Sequence, residues 1–186
     1  MKPQLVVLAG PNGAGKSTFH AEFLSKLRLP FLNADILEAR TGIPSVEAAR
    51  MLDKIREELI ERRTAFVTET VFSDPVGAKL ALLRKAVDAG YDVILVYIGA
   101  ESPLLTLRID QRVAAGGHDV PRDRIVKRFK RSLVNLRRAI DFVPLVKIYD
   151  NTSVDDPLRL VSVFENGKRS FLRRPVPRWA RSIVTR

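Results

Sequence analysis

The stretch Gly10-Pro11-Asn12-Gly13-Ala14-Gly15-Lys16-Ser17-Thr18 constrains this chain more than any other. It satisfies G-x-x-x-x-G-K-[ST] and sits between the apolar run Leu5 to Ala9 and a segment with Phe19, Phe23 and Leu27 at helical spacing. A strand, a glycine-rich turn and a helix in that order let successive backbone N–H groups converge on phosphate oxygens. The helix that opens there adds its positive end. In such a loop Lys16 reaches the β- and γ-phosphates and the Ser17 hydroxyl ligands Mg²⁺. All of residues 10–18 are therefore candidates for holding ATP or GTP.

The remaining segments alternate between two periodicities. Apolar runs at 29–35, with polar residues at its end, and at 64–70, 92–98 and 146–149 read as strands. Between them lie helical patterns. One runs from Ser45 to Arg63 with Ala48, Leu52, Ile55 and Leu59 on one face. A second is introduced by Asp74 as N-cap and Pro75, with Val76, Leu80, Leu83 and Val87 turned inward. A third begins at Ser102-Pro103, and a long fourth carries Ile125, Phe129, Leu133, Leu136 and Ile140. The pair Asn166-Gly167 between alternating segments predicts a hairpin with a type I′ turn. Strands alternating with helices predict an α/β fold, a three-layer, doubly wound and mostly parallel sheet, here carrying a P-loop after its first strand. A helical lid at about 102–140 and a C-terminal β-hairpin complete it. Residues 1–172 read as one domain. Residues 173–186 read as a basic tail or a short docked helix anchored by Trp179.

Composition narrows the chemistry. The 186 residues contain no cysteine and two histidines, which excludes a thiolate site and disfavours a histidine-based zinc site. No apolar run approaches membrane-spanning length and no signal peptide is evident, so the expected location is the cytoplasm. Net charge is +11. Residues 112–138 hold nine Arg or Lys against Asp119 and Asp123, and residues 166–186 hold seven with no acid. Such a balance attracts polyanions, from nucleotides to nucleic acid to an acidic protein.

Ligands in open α/β sheets collect at the carboxyl ends of strands. That rule selects Asn33 and Asp35 after the second strand, Glu69 and Thr70 after the third, and Asn151 with Thr152 after the strand ending at Asp150. Asp35 is the candidate base, a carboxylate able to accept the proton of an attacking hydroxyl. Its alternative is a helix cap. Glu69 inherits the acidic role beside Mg²⁺ or the acceptor, because the strand ending at Gly99 offers no other carboxylate. Arg108 and Arg112 lie one turn apart before Gly116-Gly117, and Arg124, Arg128, Arg131 and Arg138 follow on the next helix. Arginine forks on a closing lid neutralise a transferring phosphoryl group. Arg112 is the first choice for that role and for contacting the nucleotide, with Arg124 and Arg128 next, and His118 is a candidate acceptor contact.

Taken together, the phosphate loop, Asn33-Ala34-Asp35, Thr68-Glu69-Thr70, Arg112 before Gly116-Gly117-His118-Asp119-Val120-Pro121, and Arg131-Ser132-Leu133-Val134-Asn135-Leu136 resemble the zeta toxin family of P-loop kinases. The resemblance spans residues 4–152. It implies ATP- or GTP-dependent phosphorylation of a nucleotide sugar such as UDP-N-acetylglucosamine. Lys16 and Ser17 would bind nucleotide and Mg²⁺, Asp35 would act as base, Glu69 would line the acceptor pocket and Arg112 would contact phosphates. It also implies a possible antitoxin partner. Studied members carry a second lid arginine where this chain has His118, which implies either that the second cationic role moves to Arg122, Arg124 or Arg128 or that the acceptor differs. Two other enzyme readings share these residues: a polynucleotide 5′-kinase, and a kinase of another small phosphorylated metabolite. Aromatics are sparse in the basic stretches, which weighs against nucleic acid. A non-enzymatic reading makes the basic tail a docking surface for an acidic protein.

Overall fold

The computed structural model describes residues 2–114 and 122–185. Seven strands form one sheet in the order β2-β3-β1-β4-β5-β6-β7. They are β1 (Gln4–Ala9), β2 (Phe31–Leu32), β3 (Phe66–Thr70), β4 (Asp92–Gly99), β5 (Leu145–Asp150), β6 (Arg159–Glu165) and β7 (Lys168–Leu172). The first five run parallel, and β6 and β7 add antiparallel at one edge. Leu5, Leu8, Leu95, Tyr97 and Ile98 of the central strands are fully buried, as a parallel sheet covered on both faces requires. Asn166 and Gly167 both take positive φ, 49° and 78°, which matches the type I′ turn expected between β6 and β7.

The helices are α1 (Lys16–Phe19), α2 (Ala34–Thr41), α3 (Ser45–Glu61), α4 (Ala78–Asp88), α5 (Ser102–Ala114), α6 (Arg122–Ile140) and α7 (Arg181–Val184). Three faces differ from those the periodicity predicts. After α1 the chain passes into a π-helical turn, His20–Leu24, and then a 3₁₀ turn, Ser25–Leu27. The wider turn rotates the apolar stripe, so Phe19 and Leu24 are buried while Phe23 and Leu27 are 51% and 43% exposed. In α3 the buried line is Ala48, Leu52, Arg56 and Ile60, and Ile55 and Leu59 are only half-buried. An arginine thus occupies the centre of the core-facing stripe. The fourth helix starts at Ala78, behind Gly77 at φ 81°, and not at Pro75. Asp74 does not cap it, and Val76 is 85% exposed.

α6 buries Ile125, Phe129, Leu136 and Ile140 as expected, but Ser132 and Asn135 are buried with them. Each has a partner, as buried polar groups need. The Ser132 hydroxyl pairs with the Tyr97 hydroxyl at 2.7 Å. Asn135 Nδ2 donates to the carbonyls of Phe72 (3.0 Å) and Asp74 (3.1 Å). α6 is thereby tied to the loop that follows β3.

Candidate active site

The carboxyl ends of β1, β2 and β3 open onto a cavity of about 700 Å³. The glycine-rich turn forms its floor. Gly10 takes φ 144° and packs on the Ile98 carbonyl so tightly that a Cβ would overlap it. Gly15 takes φ 93°, and a Cβ there would strike the Asn151 side-chain amide. These two positions require glycine for both conformation and space. Asn12, Gly13 and Gly15 through Thr18 line the cavity, whereas Gly10, Pro11 and Ala14 are buried behind them. Lys16 is 7% exposed and its Nζ donates to the Pro11 carbonyl at 3.1 Å, curled along the loop.

Two carboxylates stand over that floor. Asp35 lies in the first turn of α2 and lines the cavity. The cap of α2 is Asn33, whose Oδ1 accepts from the Ile36 N–H at 3.1 Å, so Asp35 is not used as one. Asn33 Nδ2 donates to Glu69 Oε2 at 2.9 Å, and Glu69 Oε1 lies 3.5 Å from Lys16 Nζ. One asparagine therefore caps a helix with its oxygen and orients the Glu69 carboxylate with its nitrogen. Thr70 also lines the cavity, and its hydroxyl accepts from the Phe72 N–H at 3.0 Å. Phe72 holds φ 60°, an uncommon conformation for a bulky residue, and is fixed by that bond and by Asn135.

The far wall is cationic. Arg128 and Arg131 of α6 line it, together with Arg56 and Lys79. Arg124 is exposed and does not line the cavity. Arg56 is 4% exposed and spends its donors on Thr68 Oγ1 (2.7 Å), Asp53 Oδ1 (2.6 Å) and the Glu69 carbonyl (3.4 Å). Lys79 pairs with the same Asp53 oxygen. Periodicity did not single out these two cations. For Arg56 a signal existed, since it stands four residues from both Leu52 and Ile60 on the buried line; for Lys79 none did. Asp74 also lines the cavity, and both its carboxylate oxygens are buried without a hydrogen-bond partner.

Two sequence-selected residues, and one histidine that the sequence did not select, sit elsewhere. Asn151 supports the loop from behind: its Nδ2 donates to the Ala14 carbonyl at 2.9 Å and its Oδ1 accepts from the Leu158 N–H at 3.2 Å. Arg108 Nη1 donates to the Gly13 carbonyl at 3.4 Å. His20 stacks on Phe31 with ring centroids 3.6 Å apart, outside the cavity, and burial pulls its pKa below 6.5 while Glu69 pulls it back up. Arg112 lies on α5, but its side chain is outside the described part of the structure, as are Gly116, Gly117 and His118.

The cavity fits a bound triphosphate. Its floor is a glycine-rich turn that leads into α1, with a nearly buried lysine, a combination suited to an anion. It also fits Mg²⁺. Among the described residues no group of three or more acidic, histidine or cysteine side chains is placed to hold a metal ion by itself. An ion held by the Ser17 hydroxyl, one carboxylate and substrate phosphates needs no such cage. Among the described residues no helix is long and apolar enough to cross a membrane.

A parallel sheet ordered β2-β3-β1-β4-β5, a phosphate loop after its central strand and carboxylates at the ends of β2 and β3 make this the P-loop kinase fold. The family model described as zeta toxin matches residues 39–169, and the chain belongs to that family. Among solved structures, the AvrRxo1-ORF1:AvrRxo1-ORF2 complex with sulphate ions matches with a TM-score of 0.72 at 16% identity, over 94% of this chain and 62% of that one. This chain thus spans less than two thirds of that chain's length. The PezAT chromosomal toxin–antitoxin system of Streptococcus pneumoniae matches with a TM-score of 0.60 at 20% identity, over 80% and 68% of the two chains. A gluconokinase from Sinorhizobium meliloti matches with a TM-score of 0.51 at 20% identity, over 80% and 83%. At these identities the likeness is one of fold. No curated protein sequence matches the chain.

Proposed function

We propose that this protein transfers the γ-phosphoryl group of ATP or GTP to a hydroxyl of a small phosphorylated acceptor, with UDP-N-acetylglucosamine the first acceptor to test. The observation that carries this reading is the sharing of one cavity by Lys16, Asp35, Glu69, Arg128 and Arg131. The acceptor hydroxyl gives its proton to the Asp35 carboxylate. Its oxygen forms a bond to the γ-phosphorus while the bond to the bridging oxygen breaks, and the nucleoside diphosphate leaves. Lys16 and the loop amides stabilise charge on the phosphates, and Arg128 and Arg131 neutralise charge on the transferring group and the acceptor. Mg²⁺ held through Ser17 supplies further charge neutralisation when bound. Asn33 holds Glu69 at the acceptor side, and Thr70 lies beside it. Arg112 contacts the phosphates and His118 the acceptor in this reading. The family also supports an antitoxin as protein partner.

The reading is tested by incubating the protein with ATP, Mg²⁺ and a panel of nucleotide sugars, phosphorylated metabolites and a 5′-hydroxyl oligonucleotide, with mass-spectrometric detection. Phosphorylation of a nucleotide sugar is expected. Phosphorylation of the oligonucleotide alone would replace the acceptor, and nucleotide binding without any transfer would remove the enzymatic reading.

A further inference from the structure

The basic C-terminal segment is built into the fold. Trp179, Ala180, Ile183 and Val184 are all buried. The Trp179 indole lies on Gly99, at the end of β4, so closely that a Cβ on that glycine would stand 2.5–2.7 Å from three ring carbons. The same ring touches Tyr97 of β4 and Phe129 of α6, with centroids 6.0 and 6.3 Å away. Its Nε1 donates to Asp150 Oδ1 at 2.8 Å.

Asp150 is the last residue of β5 and is 6% exposed. The oxygen that accepts from Trp179 also accepts from the Thr152 hydroxyl at 2.6 Å, and Thr152 Oγ1 in turn accepts from the Glu101 N–H at 3.2 Å. Arg159 Nη2 lies 3.8 Å from the other oxygen. Between Asp150 and Thr152 stands Asn151, whose N–H donates to the Gly99 carbonyl at 2.8 Å and whose amide holds Ala14. The turn 150–152 is therefore gripped at both flanks, and the residue between them carries the phosphate loop.

We propose that Trp179 is a positioning residue for nucleotide: through Asp150 it fixes the turn from which Asn151 supports the Gly13–Gly15 backbone. The indole N–H fills an acceptor that water scarcely reaches. Without it the carboxylate loses a partner in a site where polar groups need one, and the turn loosens. The consequence for affinity rests on the nucleotide reading above; the consequence for the loop does not.

Trp179→Phe removes the indole N–H together with the outer ring carbons that lie on Gly99, and the protection of β4 reports whether that second loss by itself loosens the sheet. In the nucleotide-free protein, amide hydrogen exchange over residues 10–18 is expected to quicken in this variant while β1 and β4 keep their protection. The ATP Kd is expected to rise roughly three- to tenfold, the range of one such polar contact, with acceptor KM unchanged. Asn151→Ala is expected to quicken the same amides, and adding Trp179→Phe to it is expected to change neither readout further. Unaltered exchange in Trp179→Phe, or a full additional effect in the double variant, would overturn the proposal. Failure of the wild-type protein to bind ATP would remove the nucleotide reading while leaving the exchange result to decide the relay.

Discussion

The Lys16 ammonium stands 3.5 Å from Glu69 Oε1, with both side chains nearly buried. In the proposed reaction the first of these groups holds phosphate and the second faces the acceptor. A γ-phosphate arriving in the loop competes for the same ammonium. Lys16→Ala is expected to lower kcat/KM by at least roughly a hundredfold, the usual cost of losing a fixed charge at a reacting phosphate. Steady-state kinetics with saturating acceptor checks this, and circular dichroism establishes that the sheet persists.

Asn33 separates stability from acceptor recognition. Asn33→Ala removes the α2 cap and the Glu69 partner together. The cap alone is worth about 1 kcal/mol, roughly 2–4 °C in Tm for a chain of this size. Asn33→Ser retains an oxygen suited to the cap and loses the amide donor. It is expected to recover the Tm but to keep the raised acceptor KM. Recovery of both by Ser would detach Glu69 orientation from acceptor binding.

The two arginines of α6 that line the cavity are expected to matter more than their neighbour on the same helix. Arg128→Ala and Arg131→Ala should each lower kcat/KM roughly ten- to a thousandfold, as transition-state charge loses a partner. Arg124→Ala, at an exposed position outside the lining, should have the smaller effect. Parallel kinetics of the three variants checks the order.

The phosphate loop, the parallel core and the hairpin were legible because each rests on local chemistry. Glycine spacing, β-branched runs and an Asn-Gly pair specify conformation with little outside help. Asn33, Asp35, Glu69 and Thr70 were legible by topology, since a doubly wound sheet delivers strand ends to one edge. What stayed hidden depends on partners distant in sequence. Arg56 reads as a surface residue until Asp53, Thr68 and the Glu69 carbonyl surround it. Asp74 reads as a cap until Gly77 starts the helix later, leaving its carboxylate at the cavity. The π-helical turn after Phe19 has no signature in apolar spacing, which is why Phe23 faces outward. Asn151 occupies the selected position, but its contact is with the loop backbone.

His20 makes stability depend on pH. Its folded-state pKa lies below 6.5, with burial the larger cause and Glu69 opposing it. As pH falls through 6.5 the unfolded chain takes up the proton first, so stability contributed by the neutral ring is present above 6.5 and is lost below it. His20→Phe retains a ring against Phe31 and cannot titrate. Its Tm is expected to vary less than that of the wild type between about pH 5 and pH 7. Thermal denaturation across that window checks the slope, and equal slopes would show that His20 does not contribute.

The most direct measurement is single-turnover phosphoryl transfer by the wild-type protein and by Asp35→Asn, with ATP affinity measured on the same preparations. The wild type is expected to yield a mono-phosphorylated acceptor and ADP in equal amounts. Asp35→Asn is expected to bind ATP with unchanged Kd while transfer slows by roughly a hundred- to ten-thousandfold, the contribution of a general base. Transfer at the wild-type rate in Asp35→Asn, or loss of ATP binding along with transfer, would contradict a cavity in which Asp35 receives the acceptor proton.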